Sequence, residues 1–447
     1  MSDDDGHGLG PDEILLEPMR ATRRPFYYVA LLLFGLATVA FFAWIHQLKW
    51  GLQATGLNHP AYWGFYITNF VFFIGISHAG TFISAILRLS HAEWRRPITR
   101  AAEVITVLVL LFGGANLLAD LGRPDRFVHV LMRPNFASPL VWDVCCIGLY
   151  FFASLAYLYL PLIPDIALLR DRGTRFRRFY RALALGWRGT AEQKRKLDRA
   201  IAVMAVVVIP LAVSVHTVVS WVFAMTVQPM WHSTIFGPYF VVGAIYSGIA
   251  SILLVMALVR HFHGLQAYIK PIHFRHLGTL LLVFSLLWLY FTFAEHLTSY
   301  YGQNPEHLQV LEARLRGRYA PLFWTMVATC FVIPMLALAR PSKRTVTRTV
   351  IAALSVVVGM WLERLAIVVP TMVNPRVPVD TATYWPTWVE LGISVGSLAC
   401  FVFLYLVFTK LFPIVSIWEI REGRARGLAD ATERMRSYLP PDASAGS

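Results

Sequence analysis

Residues 26–46 read FYYVALLLFGLATVAFFAWIH, a run without Asp, Glu, Lys or Arg. Coiled as an α-helix it would be about 30 Å long, the thickness of a bilayer's hydrocarbon core. Nine further apolar runs follow, at 62–87, 98–119, 140–160, 200–222, 238–259, 277–299, 319–339, 347–370 and 385–412. Tyr and Trp gather at their ends (Tyr62-Trp63, Tyr300-Tyr301, Tyr384-Trp385), as interfacial anchors do. The first run follows an acidic tail and has no small-residue cleavage motif, so it reads as a retained span. The expected fold is an all-α polytopic membrane protein with ten transmembrane helices.

The composition agrees. Of the 447 residues, 57% are apolar and 15% charged, and mean hydropathy is +0.55, too little charge to clothe soluble domains of this size. An ordinary cytosolic enzyme and a disordered tail protein are excluded. The net charge of +14 would suit nucleic acid, but its distribution argues otherwise. With the spans numbered and the sides alternated, 31 of the 40 Lys and Arg fall on the side holding both termini and 8 on the other, with Arg364 inside a span. By the positive-inside rule both termini are expected to be cytoplasmic, in a bacterial cytoplasmic membrane. The basic run Arg170–Arg199 is expected to lie against anionic lipid, and no nucleic-acid partner is expected. The expected layout is a tail (1–25), a peripheral span (26–46), a bundle of four (62–222, with basic loop 161–199), a second bundle of four (238–370), a peripheral span (385–412) and a tail (413–447). Asp120 and Glu295 would then sit at matching ends of the two bundles' second helices.

Charged and histidine side chains within hydrocarbon are costly and face a bundle interior, a partner or a water-filled cavity. His78 lies among small residues in Gly75-Ile76-Ser77-His78-Ala79-Gly80-Thr81 and could bond between helices or meet a flat ligand. Asp120 opens Asp120-Leu121-Gly122-Arg123-Pro124-Asp125-Arg126, where it could cap a helix or accept a proton from a ligand hydroxyl beside the arginines. Glu295 and His296, then Glu363 and Arg364, suit cross-helix pairing or proton conduction equally; adjacent helical positions point about 100° apart, so Glu363 and Arg364 are expected to pair with other helices. Glu103, His216, Asp143 and Glu390 are weaker candidates. A haem held by His78 and His216 is disfavoured, because residue counts from Arg88 and Arg199 separate them in depth by about 10 Å. Cys145, Cys146, Cys330 and Cys400 form no ligand spacing, so no haem or iron–sulfur cluster is expected on this chain.

The run Asp120-Leu121-Gly122-Arg123-Pro124 with Arg126-Phe127, Ser138-Pro139 and Trp142, together with Ser77-His78-Ala79-Gly80-Thr81, resembles the polysulfide-reductase-type (NrfD-like) membrane subunits. Phe293-Ala294-Glu295, Tyr301-Gly302, Trp361-Leu362-Glu363-Arg364 and Pro386-Thr387-Trp388-Val389-Glu390 resemble more narrowly the larger integral membrane subunit of alternative complex III, the one that oxidises quinol. The resemblance implies a cofactor-free subunit of two four-helix bundles and two peripheral helices. It would oxidise quinol, ubiquinol or menaquinol, near the periplasmic face. Implied partners are a periplasmic iron–sulfur subunit, multihaem and monohaem c-type cytochromes, a second homologous membrane subunit and a terminal oxidase. On this view His78 and Asp120 meet the quinol in one deep pocket and Arg126 tunes Asp120, with Arg123, Gly80 and Thr81 also lining it. Glu103, His216, Glu295, Glu363 and Arg364 would form a proton route. The rival readings are a quinone-reducing anchor of a molybdoenzyme or hydrogenase-type complex, and a secondary transporter.

Overall fold

In a computed structural model the described residues (11–20, 22, 24–78, 80, 83–172, 176–376, 383–425 and 428) contain helices and turns and no strand. A short α1 (Pro11–Arg20) precedes the first long helix, α2 (Arg24–Trp50). Then come α3 (Phe65–His78), α4 (Ser84–Leu89), α5 (Thr99–Asp120), a surface helix α6 (Phe127–Met132) and α7 (Pro139–Asp171). The basic stretch holds α8 (Arg177–Leu183) and opens α9 (Ala191–Ala224). The second half contains α10 (Phe236–Phe262), α11 (Pro271–Tyr301), α12 (Pro305–Leu315), α13 (Ala320–Val327), α14 (Ile333–Leu338), α15 (Val346–Met372) and α16 (Trp388–Leu411). Among the described residues nine helices are long and apolar enough to cross a bilayer, counting α13 to α14 as one.

The run at 62–87 is different. Its helix α3 is apolar but only 14 residues long, about 21 Å, and α4 resumes beyond a break. The break lies where α5 comes closest. A Cβ on Gly80 would stand 2.0 Å from the Ala102 carbonyl oxygen, so only glycine fits. The Thr106 hydroxyl donates to the Ser77 carbonyl (2.6 Å) and accepts from the Gly80 N–H (3.0 Å), while the Tyr150 hydroxyl also donates to Ser77 (3.1 Å). Broken backbone inside a membrane survives only with such internal partners. The same logic explains the π-helical turn Ala328–Val332 between α13 and α14. Pro334 has no N–H to offer the Cys330 carbonyl four residues back. The hydroxyls of Tyr246 (2.6 Å) and Ser285 (2.9 Å) donate to it instead.

In packing, α3 lies on α5 and α7 on α9, while α10 packs against α11 and α15. The first and last long helices, α2 and α16, run along each other, and α3 touches both α10 and α15, which joins the halves. The ends of the bundle differ: one carries Asp120, α6 and α12, the other the basic stretch. At the basic end a segment over 413–425 is clamped to the spans. Arg100, 2% exposed, donates to Asp165 (2.7 Å), to the carbonyls of Pro413 and Pro161 (2.9 Å each) and to Ser416 (3.1 Å). Asp165 also accepts the N–H groups of Ile417 and Trp418, both at 3.1 Å, and so caps the segment's helix.

Beyond Asp165, Glu419 meets Arg88 (2.8 Å) and Arg95 (3.3 Å). Burial would raise the Glu419 carboxyl, but those two guanidinium groups override it and hold it below the ordinary value of 4.5. A carboxylate depressed in the native state stabilises above its unfolded value and loses that stabilisation as pH falls through the native one. The contribution of Glu419 to protease protection of 413–425, read by comparing the native chain with Glu419→Gln, is therefore expected to hold from neutral pH down through the ordinary carboxylate range and to vanish only below it. A contribution already lost in mildly acidic buffer would contradict this.

Candidate functional site

The sequence candidates fall into separate groups. Asp120 ends α5 at a corner where α2, α3 and α16 meet. Gln47, 2% exposed, donates to the Ala119 carbonyl (2.7 Å) and accepts the Tyr66 hydroxyl (2.5 Å). Across the corner Glu390 accepts the Tyr384 hydroxyl (2.6 Å) and the N–H groups of Gly56 (2.6 Å) and Thr387 (3.0 Å). Amid these satisfied groups one Asp120 carboxylate oxygen, Oδ1, is buried with no hydrogen-bond partner among the described residues. The arginines expected beside it are elsewhere. Gly122, at φ +66°, turns the chain out of the helix, so Arg123 pairs with Asp125 (2.9 Å) at the surface and Arg126 is exposed. Gln47 and Tyr66 are not evident from sequence: uncharged polar residues at the ends of apolar runs carry little signal.

His78 does not share this corner. It closes α3 at the level of Thr106, which lies fourteen residues before Asp120 on the same helix, about 21 Å away. One quinone headgroup cannot touch both residues, so the single deep pocket expected for them is not formed. His78 instead meets His216 edge to face, ring centroids 4.0 Å apart, with Tyr150 at 6.1 Å. The depth mismatch expected for the two histidines is overturned for a physical reason. Arg88, which reads as a marker of the membrane edge, is turned inward to Glu419, and α9 begins well before Arg199. Gly80 sits in the α3 break, and Thr81 lies outside the described residues.

Arg364 reaches the same level from α15. Its guanidinium would be 2.7 Å from a Cβ on Gly243 and 3.9 Å from one on Gly75, so it lies in a slot between α3 and α10, over the Phe240 ring at 5.0 Å. His78 and His216 are both within its electrostatic reach. Contrary to the expectation from helical angles, Arg364 pairs with its neighbour Glu363, Nη1 to Oε2 at 2.6 Å. The long arginine stem folds back onto its neighbour, and attraction in so dry a place is strong. The contact lacks hydrogen-bond angles, so Glu363 Oε2 and both Arg364 terminal nitrogens lack hydrogen bonds among the described residues. The other Glu363 oxygen accepts from Trp288 (2.8 Å).

Towards the Asp120 end, Glu363 borders a cavity of about 20 Å³ that is also lined by Glu295, His296, Arg314, Tyr239 and Trp231. Glu295 is hydrogen-bonded by Ser233, and Arg314, from α12, donates to Thr371 (3.0 Å) and the Ile367 carbonyl (3.3 Å). Burial lowers the Arg314 guanidinium to about 10, so it stays charged at neutral pH. In the charge count Arg314 is one more rim cation; its signal is the spacing of Val310, Leu311 and Arg314, all buried on one face of α12. Glu103 stands apart on the basic side. It accepts from Ser84 (2.8 Å), which also contacts Tyr157 (3.2 Å). No cluster of three or more metal-ligating side chains occurs among the described residues.

An all-helical chain of bilayer-length spans, with acids, histidines and arginines buried inside it, defines a multi-pass membrane protein built around interior polar chemistry. The chain belongs to the family described as Polysulphide reductase, NrfD, which residues 53–375 match. It is similar to a putative dimethyl sulfoxide reductase membrane subunit of Halobacterium salinarum, 28% identical over 86% of this chain and 89% of that one. A selenate reductase subunit of Mesobacillus selenatarsenatis is 26% identical over 82% and 89%. An Hdr-like menaquinol oxidoreductase integral membrane subunit of Archaeoglobus fulgidus is 20% identical over 87% and 94%.

Proposed function

We propose that this chain is the quinol-binding membrane subunit of an oxidoreductase complex, oxidising quinol at the Asp120 corner and passing electrons to an iron–sulfur partner docked on that end. The observation that carries this is the buried, unbonded Asp120 Oδ1 at a corner bordered by α2, many of whose side chains are exposed along its length. Oxidising a quinol to a quinone releases two protons and two electrons. A carboxylate with a free lone pair, next to the Gln47–Tyr66 pair and behind the exposed side chains of α2, suits the first proton. The exposed arginines Arg123, Arg126 and Arg133 and the apolar side chains of Leu131, Met132 and Phe136 beside them supply a face for the partner.

The relatives support this direction of flow. One is named for menaquinol, and two are named for reductases, which consume electrons. Cytochrome subunits, a second membrane subunit and a terminal oxidase follow only if the partner is of the alternative complex III kind. On the charge asymmetry, the Asp120 end faces the periplasm and both termini the cytoplasm of a bacterial cytoplasmic membrane. His78, His216, Arg364, Glu363 and Glu295 then act in proton movement rather than in quinol contact, and Glu103 serves the cytoplasmic side.

A photoactivatable quinone added to the purified complex is expected to label the end of α2, the start of α3 and the end of α5. Labelling confined to α10–α15 would remove the Asp120 corner as the quinol site.

A further inference from the structure

The second bundle holds a feature that quinol contact does not use. Three residues around the 20 Å³ cavity each bear a buried polar atom with no hydrogen bond among the described residues, Glu295 Oε1, His296 Nε2 and Arg314 Nε, and a fourth, Glu363 Oε2, has its ion contact with Arg364 but no hydrogen bond. Unmet groups of this kind cost free energy, and several around one void call for a shared partner. That volume gives room for a water molecule. The chemistry also suits water. His296 Nδ1 lies 2.7 Å from the Thr292 carbonyl, an acceptor only, so Nδ1 carries the ring proton and Nε2 presents a lone pair. Arg314 Nε–H can only donate, and the carboxylate oxygens accept. A metal cation is disfavoured because two arginines, Arg314 and Arg364, already balance the two acids.

We propose that this cavity is a built site for a single ordered water, which accepts from Arg314 and shares its two O–H groups among His296 Nε2 and the two glutamates. The water joins Glu295, near the end of α11, to the Glu363–Arg364 pair at the slot between the bundles. Its use as a proton relay rests on the function proposed above; its presence does not.

The test uses the intact complex and X-ray hydroxyl-radical labelling, in which X-rays split a bound water into hydroxyl radicals that oxidise the side chains around it. Met326 lines the cavity and is 2% exposed, whereas Met256 and Met360 are fully buried and do not line it. Met326 is expected to be oxidised several-fold faster than either. In Ala366→Val, where a larger side chain takes up cavity space without changing any polar atom, that excess is expected to vanish. Equal labelling of the three methionines in the unmodified complex overturns the water site, whether or not the variant folds. Proton uptake by the reconstituted complex separates the two ideas. If Met326 labels fast in the unmodified complex and Ala366→Val loses the label yet keeps normal uptake, the site stands and the relay reading fails.

Discussion

Asp120→Asn is expected to lower quinol oxidation by about a hundredfold or more while the complex still assembles, since a positioned acid or base contributes about that much to a proton-transfer step. Asparagine keeps the size and polarity of the side chain but cannot take a proton. The corner should tolerate it. The Gln47 link runs to the Ala119 backbone, and Glu390 is satisfied by Tyr384, Gly56 and Thr387 without help from Asp120. Turnover with a quinol analogue, measured beside the subunit composition of the purified complex, separates lost chemistry from lost assembly. Full turnover in an assembled Asp120→Asn complex would take Asp120 out of the mechanism.

Arg100→Leu is expected to cost about 3–5 kcal/mol, the usual penalty for stranding one member of a buried ion pair. Arg100 and Asp165 have side chains 1% and 2% exposed, and the guanidinium ties two carbonyls and Ser416 to the same point. The variant should show a lower thermal midpoint in detergent and early proteolysis within 413–425. Adding Asp165→Leu should recover only part of the loss, because Asp165 also caps the backbone at Ile417 and Trp418. An unchanged midpoint in the single variant would show that the clamp is dispensable.

The spans are legible in the sequence because hydrophobic length is a local property, written in consecutive residues such as 26–46. What is not legible depends on neighbours far along the chain. The shortness of α3 follows from the approach of Ala102 and Thr106 to Gly80, which hydropathy does not record. The contact between His78 and His216 escapes a residue count because Arg88 reads as a surface cation, whereas Glu419, more than three hundred residues on, draws it inward. Sequence proximity puts Arg123 and Arg126 beside Asp120, and the left-handed turn at Gly122 sends them away. The identity of the polar residues is thus readable, while their grouping into an Asp120 corner, a histidine level and a Glu295–Glu363 cavity is not.

The slot occupied by Arg364 bears on how the molecule is made. Its walls are glycines of α3 and α10, while the arginine itself arrives only with α15, near the end of synthesis. Until then the early helices face one another across an empty notch, and a cation entering the bilayer on α15 has its carboxylate neighbour but no berth. Insertion and folding are therefore coupled late. The charge on α15 is tolerable only where α3 of the first half and α10 of the second have together formed the space that holds it.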